Sequence, residues 1–372
     1  MILRSLGLRN FRLHKQTNLE FSENLNYIIG GNGQGKTTIL EAIYYLCTTK
    51  SLNQCLDAEV VNFNETFFEV TGQFRDLADN RTGIYYNTDN NKKSIFIDDK
   101  QIYRASAVIG KFPVVTLIQS DHAITQGAPA ERRKFVDSII SQASETYLNF
   151  LLDYNKILRQ RSALLSKIKE TNDKSLYGQL EAWTITLVKT GSELVRHRMK
   201  FVKSFNEYVA EAYQKIMEDF EVPFINYSFL GEMDENLIED RFNEELMNLQ
   251  SDELLRSKNL VGPHRDDFCF SVNGYELRKY GSQGQHKTFQ IALRFGQFFY
   301  MKDTLGRTPI FLMDDVFGEL DTYRANKISL YLKEIGQAFI TMTDFSKLEN
   351  INVSRNDFVL TVKNGGVISA AK

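Results

Sequence analysis

Apolar and polar positions alternate along Met1–Leu6, which predicts a half-buried strand. A short apolar run, Leu25–Ile29, stops at glycines, and Thr38–Leu46 then places its apolar residues at helical spacing. Strand, loop and helix therefore follow one another without a gap. Further β-prone stretches cover Phe67–Phe74, Gly83–Tyr86, Ser94–Ile97 and Val114–Ile118, punctuated by Asn, Asp and Gly clusters.

The period changes near Glu131. Phe135, Ile139, Ile140, Ala143, Tyr147, Leu151, Tyr154, Leu158, Leu165 and Ile168 recur at three- and four-residue steps, which predicts a long helical stretch. Thr171-Asn172-Asp173 reads as a break, and a second helical pattern runs from Leu176 through Trp183, Leu187, Leu194, Val195 and Val202 to Ile216, with helix dominating to about Asp219. This stretch is either a lobe packed on itself or a projecting arm. Strand-and-turn texture returns after Ser257. A continuous apolar run, Pro309–Met313, then ends in Asp314-Asp315, as a buried parallel strand would. The expected architecture is α/β. A discontinuous head is built from residues 1–130 and 257–372, with a mostly helical domain, 131–256, inserted between them.

Composition narrows this picture only slightly. The 372 residues suffice for two domains, and a net charge of -2 gives no global sign of a nucleic-acid binder. Charge is uneven within the insertion. Residues 131–203 hold 14 Lys or Arg against 8 Asp or Glu, whereas residues 204–256 hold 3 against 14. Only the first half could meet phosphate. Cys47, Cys55 and Cys269 are odd in number and form no CxxC pair, so a disulfide framework or zinc site is not expected. No apolar run approaches the ~18–20 residues of a membrane span, and the N-terminus lacks a signal-peptide core. A soluble, cytoplasmic protein without membrane partners is expected.

The chemistry concentrates in three places. Gly30-Gly31-Asn32-Gly33-Gln34-Gly35-Lys36-Thr37, followed by Thr38, fits G-x-x-x-x-G-K-[ST]. Glycines let backbone N–H groups turn inward around a polyphosphate, and the helix N-terminus adds to the attraction. Lys36 would reach the β- and γ-phosphates of ATP, and Thr37 would place its hydroxyl on Mg²⁺. Asp314, at the end of its strand, would join the Mg²⁺ shell. Asp315 is placed to orient or deprotonate the attacking water. Tyr280-Gly281-Ser282-Gln283-Gly284-Gln285 precedes a helix expected to begin near His286, and resembles an ABC signature. Glu319-Leu320-Asp321 follows at D-loop spacing.

These motifs resemble those of the RecF family of SMC-related recombination-repair ATPases over nearly the whole chain. Asn10-Phe11-Arg12, Leu40-Glu41-Ala42-Ile43, Gly127-Ala128-Pro129, Glu131 to Asp137 and Gly262-Pro263-His264-Arg265-Asp266-Asp267 belong to the same pattern. The resemblance implies an ABC-type head with a helical second domain and ATP-dependent head-to-tail dimers. In such a dimer Ser282, Gln283, Gly284 and Gln285 of one copy complete the nucleotide site of another. It also implies duplex DNA binding near single-strand gaps and action with RecR and RecO to place RecA. For individual residues it implies a nucleotide contact for Arg12, Mg²⁺ sensing by Gln119 and an interface role for Asp321. Arg132 and Arg133 are candidate DNA contacts, and His264 and Arg265 are expected in an interface or in structural hydrogen bonds. The chain departs from the family pattern at His286, at Gly318, in Ile118–Asp121, which lacks a proline, and in Phe339–Asp344, which lacks a histidine. Thr343 would then read the γ-phosphate.

Two other classes fit less well. A metabolite kinase would use the phosphate loop but not the signature. An SMC-like structural tether needs a far longer insertion than the roughly 125 residues here.

Overall fold

The strand patterns resolve into three sheets in a computed structural model that describes residues 1–217, 221–231, 234–343 and 354–371. The expected helix limit at Asp219, and Asp344 of the switch segment, lie outside the described residues. The chain divides into two units.

The first unit comprises Met1–Asp121, Ala212–Asp219 and Ile291–Lys372. Strands β1 (Ile2–Phe11), β2 (His14–Glu20), β4 (Phe67–Arg75), β5 (Asp79–Asn87), β6 (Lys92–Ile97) and β7 (Lys100–Ile102) form an antiparallel sheet in the order β2-β1-β4-β5-β6-β7. Strands β3 (Leu25–Ile29), β8 (Val114–Leu117), β12 (Ile310–Asp314), β13 (Ala338–Met342), β14 (Phe358–Lys363) and β15 (Gly366–Ala371) form the second, in the order β15-β14-β3-β13-β12-β8. All its pairings are parallel except β14 with β15. Helix α1 (Lys36–Thr48) packs against strands of both sheets. Ile39, Leu40, Ala42, Ile43, Tyr45 and Leu46 are fully buried there, so the helix is apolar nearly all round, as a helix covered on both faces must be. The four expected strands between Phe67 and Val115 are present, and β7 is an addition that the sequence pattern did not signal.

The second unit comprises His122–Glu211 and Phe220–Gln290. It holds α2 (His122–Gln126), α3 (Pro129–Ala143), α4 (Glu145–Thr171), most of α5 (Tyr177–Ile216), α6 (Ile238–Asn248), α7 (Gln250–Arg256) and α8 (Leu277–Tyr280). Its sheet runs β11-β10-β9, from β9 (Pro223–Ser228), β10 (Asp267–Val272) and β11 (Tyr275–Glu276). The expected break after α4 is real. Asn172 takes the left-handed conformation as C-cap, and Asp173 caps the next turn by accepting from Ser175 N. Leu165, Ile168, Leu176 and Leu180 form a small core with Leu254, and α4 packs on α7.

The domain limits shift from those read in the sequence. Residues 257–290 join the helical unit rather than the head, because β10 pairs along its whole length with β9. Residues 212–219 join the head, where Lys215 pairs with Glu334 at 2.8 Å and lies over the Tyr331 ring. Helix α9 (Gln283–Leu305) carries the chain from the second unit back to the first, before α10 (Thr322–Tyr331).

Candidate functional site

Five parallel strands share one direction, so their C-terminal ends meet along one edge of the sheet, where ligands bind in such folds. β3 delivers the glycine loop, the neighbouring β13 delivers Thr341 and Thr343, β12 delivers Asp314 and Asp315, and β8 delivers Gln119 in the 3-10 turn Gln119–Asp121. The expected helix after the loop begins at Lys36, with Gly35 left-handed (φ 103°) as its N-cap.

The Lys36 ammonium is buried and donates to the carbonyls of Gly30 (2.7 Å) and Gly31 (2.9 Å). Burial lowers its pKa, while Asp315 and Asp314 pull it upward. Thr37 Oγ1 donates to both oxygens of Asp314, at 2.9 and 3.1 Å. The structure thus brings together two groups that lie far apart in the chain and that the sequence assigned to one cation. Thr341, wholly buried on β13, was not singled out. Its hydroxyl donates to Asp314 Oδ1 at 2.7 Å and accepts from the Asp315 N–H at 2.9 Å. One side chain therefore fixes a carboxylate and the backbone of the next residue. Asp315 itself is left-handed (φ 50°) and opens a 3-10 turn through Val316–Glu319.

A hydroxyl beside a carboxylate at the mouth of a phosphate loop suits Mg²⁺, a hard cation that keeps water and phosphate oxygens as its other ligands.

Other expected site residues lie elsewhere. The Arg12 guanidinium is engaged with Glu41 of α1, through two hydrogen bonds of 3.0 Å, and with the Glu59 carbonyl at 3.0 Å. Glu41 also accepts from Ser51 Oγ at 2.5 Å. Arg12 therefore braces the helix behind the loop. Arg132 is buried and grips both oxygens of Asp267 at 2.8 and 2.9 Å, as well as the Gly127 carbonyl. Arg133 donates to the Asp266 carbonyl at 2.5 Å. The expected DNA contact Arg132 is thus an internal tie, whereas Arg133 is half-buried and donates to the residue just before Asp267. They and the buried Arg198, bonded to Asp137, Asp266 and the Pro263 carbonyl, account for the Gly262–Asp267 segment as architecture. His264 bonds Tyr154 and the Asn259 carbonyl, and Arg265 bonds the same carbonyl; these are the structural hydrogen bonds that were one of the two expectations.

In the second unit, Ser282 is exposed just ahead of α9, which starts at Gln283 rather than near His286. Ser282 N donates to Gln285 Oε1 at 2.9 Å, and Gln285 N donates to Ser282 Oγ at 3.2 Å. This reciprocal pair is a capping box, and the polar spacing Ser-x-x-Gln is the signal that could have revealed it. Gln285 also donates to Glu221 at 2.7 Å, Gln283 is exposed, and Gly284 opens the helix between them. His286 is buried, and its amide donates to the Ser282 carbonyl. In the first unit, Asp321 caps α10 by accepting from Arg324 N at 2.9 Å, which lowers its pKa.

Comparison with known proteins gives the chain its relatives. The family model described as "RecF/RecN/SMC N terminal domain" matches residues 2–366. A curated relative, "DNA replication and repair protein RecF" of Chloroherpeton thalassium, is 37% identical over 380 residues, covering 99% of this chain and 100% of its own. A solved structure described as the recombination mediator protein RecF with ATP in the RecFOR pathway aligns with TM-score 0.89 at 30% identity, over 100% of this chain and 98% of its own. An Smc head from Pyrococcus furiosus, at 14% identity and TM-score 0.56 over 100% of this chain and 96% of its own, shares the fold. No helix among the described residues is long and apolar enough to cross a membrane. The chain belongs to the RecF family.

Proposed function

We propose that this chain is an ATP-driven, DNA-binding switch in the recombinational repair of single-strand gaps. The observation that carries the reading is the contact between Thr37 and Asp314, with Thr341 tying Asp314 to Asp315. It matches what Mg²⁺–ATP hydrolysis needs, and the ATP-bound relative supports the choice of nucleotide. The residues Gly30, Gly31, Asn32, Gly33, Gln34, Gly35 and Thr38 enclose the triphosphate, with Lys36 on its terminal phosphates. Thr37 and Asp314 hold Mg²⁺, which when bound neutralises phosphate charge, and Gln119 senses it from the end of β8. Asp315 orients a water toward the γ-phosphorus. Its attack breaks the bond to the bridging oxygen and releases ADP and phosphate.

Ser282 suits the role of a contact from a second copy. Its hydroxyl and the first turn of α9 form an exposed anion grip. Asp321 lies at the same dimer interface. ATP thus joins two copies, and hydrolysis separates them. With Arg132 tied to Asp267, the surface offered to duplex DNA includes Lys156, Arg159 and Lys167 of α4, exposed residues that helical spacing puts on one face. Such contacts bind phosphate without reading sequence, and weaken steeply with salt. The RecFOR pathway of the solved relative supports RecR and RecO as partners; they would pass the gap to RecA.

The test is solution mass with Mg²⁺ and ATP, using Asp315→Asn to slow hydrolysis, with and without duplex DNA. A monomer-to-dimer shift that requires ATP, strengthens with DNA and disappears in Lys36→Met is expected. A mass that never changes, or DNA binding by Lys36→Met that equals the wild type, would sink the coupling.

A further inference from the structure

His14 is fully buried, and the chemistry above makes no use of it. It opens β2 with its ring against the phosphate loop. Nε2 lies 3.1 Å from the Gly35 carbonyl, and Nδ1 lies 3.1 Å from Thr17 Oγ1. A carbonyl only accepts, so Nε2 carries a proton in this contact. The fit is close, because a Cβ on Gly35 would stand 3.0 Å from Nε2.

The hairpin β14–β15 closes on the loop from the same side. Gly365 N donates to the Gln34 carbonyl at 2.9 Å, and Asn364 N donates to Gln34 Oε1 at 2.7 Å. Gly365 is itself left-handed (φ 71°), and a Cβ there would meet the Leu13 carbonyl at 2.3 Å. At the loop's other end, a Cβ on Gly30 would meet the Val362 carbonyl of β14 at 2.4 Å. Two elements from opposite ends of the sequence therefore bracket Gly30–Gly35.

The bracket has a direct electrostatic consequence. In a trans peptide the C=O of one residue and the N–H of the next point in opposite directions, and no peptide among the described residues is cis. Holding the Gln34 carbonyl on the hairpin turns the Gly35 N–H away from the hairpin. Holding the Gly35 carbonyl on His14 turns the Lys36 N–H away from the imidazole. Both N–H groups are thereby aimed to the far side of the loop, where an anion would sit.

We propose that His14 and the Asn364–Gly365 turn are positioning elements for nucleotide, fixing the two peptide planes whose N–H groups receive its phosphates. The proposal rests on the reading of the loop as a nucleotide site. By orienting the donors before the ligand arrives, the bracket removes part of the ordering cost of binding.

The experiment titrates a fluorescent ATP analogue, with Mg²⁺, into wild type, His14→Leu, His14→Gln, Gln34→Ala and Lys36→Met, and follows each protein's thermal unfolding without nucleotide. His14→Leu removes both ring nitrogens, whereas His14→Gln keeps an amide donor within reach of the Gly35 carbonyl. His14→Leu is expected to weaken binding about tenfold or more, the equivalent of one lost hydrogen bond, and His14→Gln to recover most of it. Gln34 is only partly buried, so Gln34→Ala is expected to unfold like wild type yet bind several-fold more weakly. Wild-type affinity in both His14→Leu and Gln34→Ala would overturn the proposal. So would a loss in His14→Leu that His14→Gln leaves unrepaired. A wild type that binds no better than Lys36→Met would overturn the nucleotide reading itself, and the bracket with it.

Discussion

Thr341 shows how much one hydroxyl can hold. It donates to Asp314 and accepts from the Asp315 N–H inside a fully buried strand. Thr341→Val keeps the shape and strands a buried donor, which should cost about 1–3 kcal/mol. Because Asp314 and Asp315 then lose a shared anchor, ATP turnover should fall about tenfold or more for a barrier increase near 1.4 kcal/mol, while nucleotide affinity changes little. Urea unfolding and steady-state turnover together check this; unchanged turnover would show that Thr341 is only a packing residue. His264 supplies a pH prediction. Burial lowers its pKa from 6.5 to about 4. Between those values the unfolded chain binds a proton that the folded chain refuses, so His264 makes stability fall as pH drops through that window. Burial pushes Asp266 the other way, up to about 6, and its contribution to stability has the opposite slope over its own window, from 3.8 to about 6. His264→Gln should therefore flatten the acid-side loss relative to wild type, by up to about 3 kcal/mol across the window. Urea midpoints measured from pH 7 to pH 4 would reveal it. The phosphate loop and Asp314 were legible because each motif is local in the sequence. Thr341, His14 and Glu41 were not, because their partners arrive through sheet register and helix packing, which no single-stretch periodicity reports.

At the scale of elements, the N-terminus of α9 carries two duties that mutation can separate. Ser282→Ala removes the helix cap and should cost about 1 kcal/mol, along with the hydroxyl proposed to meet a second copy's nucleotide. Ser282→Asp keeps a good cap but sets a negative charge against phosphate. It should unfold like wild type and yet show no ATP-dependent dimer in a mass measurement; dimerisation equal to wild type would remove Ser282 from the interface. The start of this helix was read three residues late, at His286, because the polar stretch Ser282–Gln285 hides an i,i+3 capping pair inside what looks like a loop. The break after α4 was legible for the converse reason, since Asn172 and Asp173 are residues whose side chains and backbone favour turns.

For the whole molecule, the order of the parallel sheet is decisive. β3 from the early sequence lies between β13 and β14 from the late sequence, and β8 lies beyond β12. A fragment of residues 1–130 would hold the phosphate loop but leave β3 without either neighbour. It is expected to show no cooperative urea transition, and to regain one only when residues 212–372 are supplied. A cooperative transition in the fragment alone would contradict this dependence. That both ends of the chain build one head was visible from the placement of the motifs. The limit near residue 290 was not, because β9 is short, sits in a strongly acidic stretch and draws residues 257–290 to itself through pairing with β10.

The hairpin that brackets the phosphate loop leaves the ribosome 330 residues after the Gln34 it holds. Chains fold as they emerge, the earlier segments first, yet the Gln34 backbone carbonyl and side-chain amide oxygen wait for Gly365 and Asn364, while the Gly35 carbonyl can meet His14 from the start. A nascent or prematurely terminated chain, however complete its motif, would present a loop braced on the His14 side alone. Such a chain would be a poor competitor for nucleotide.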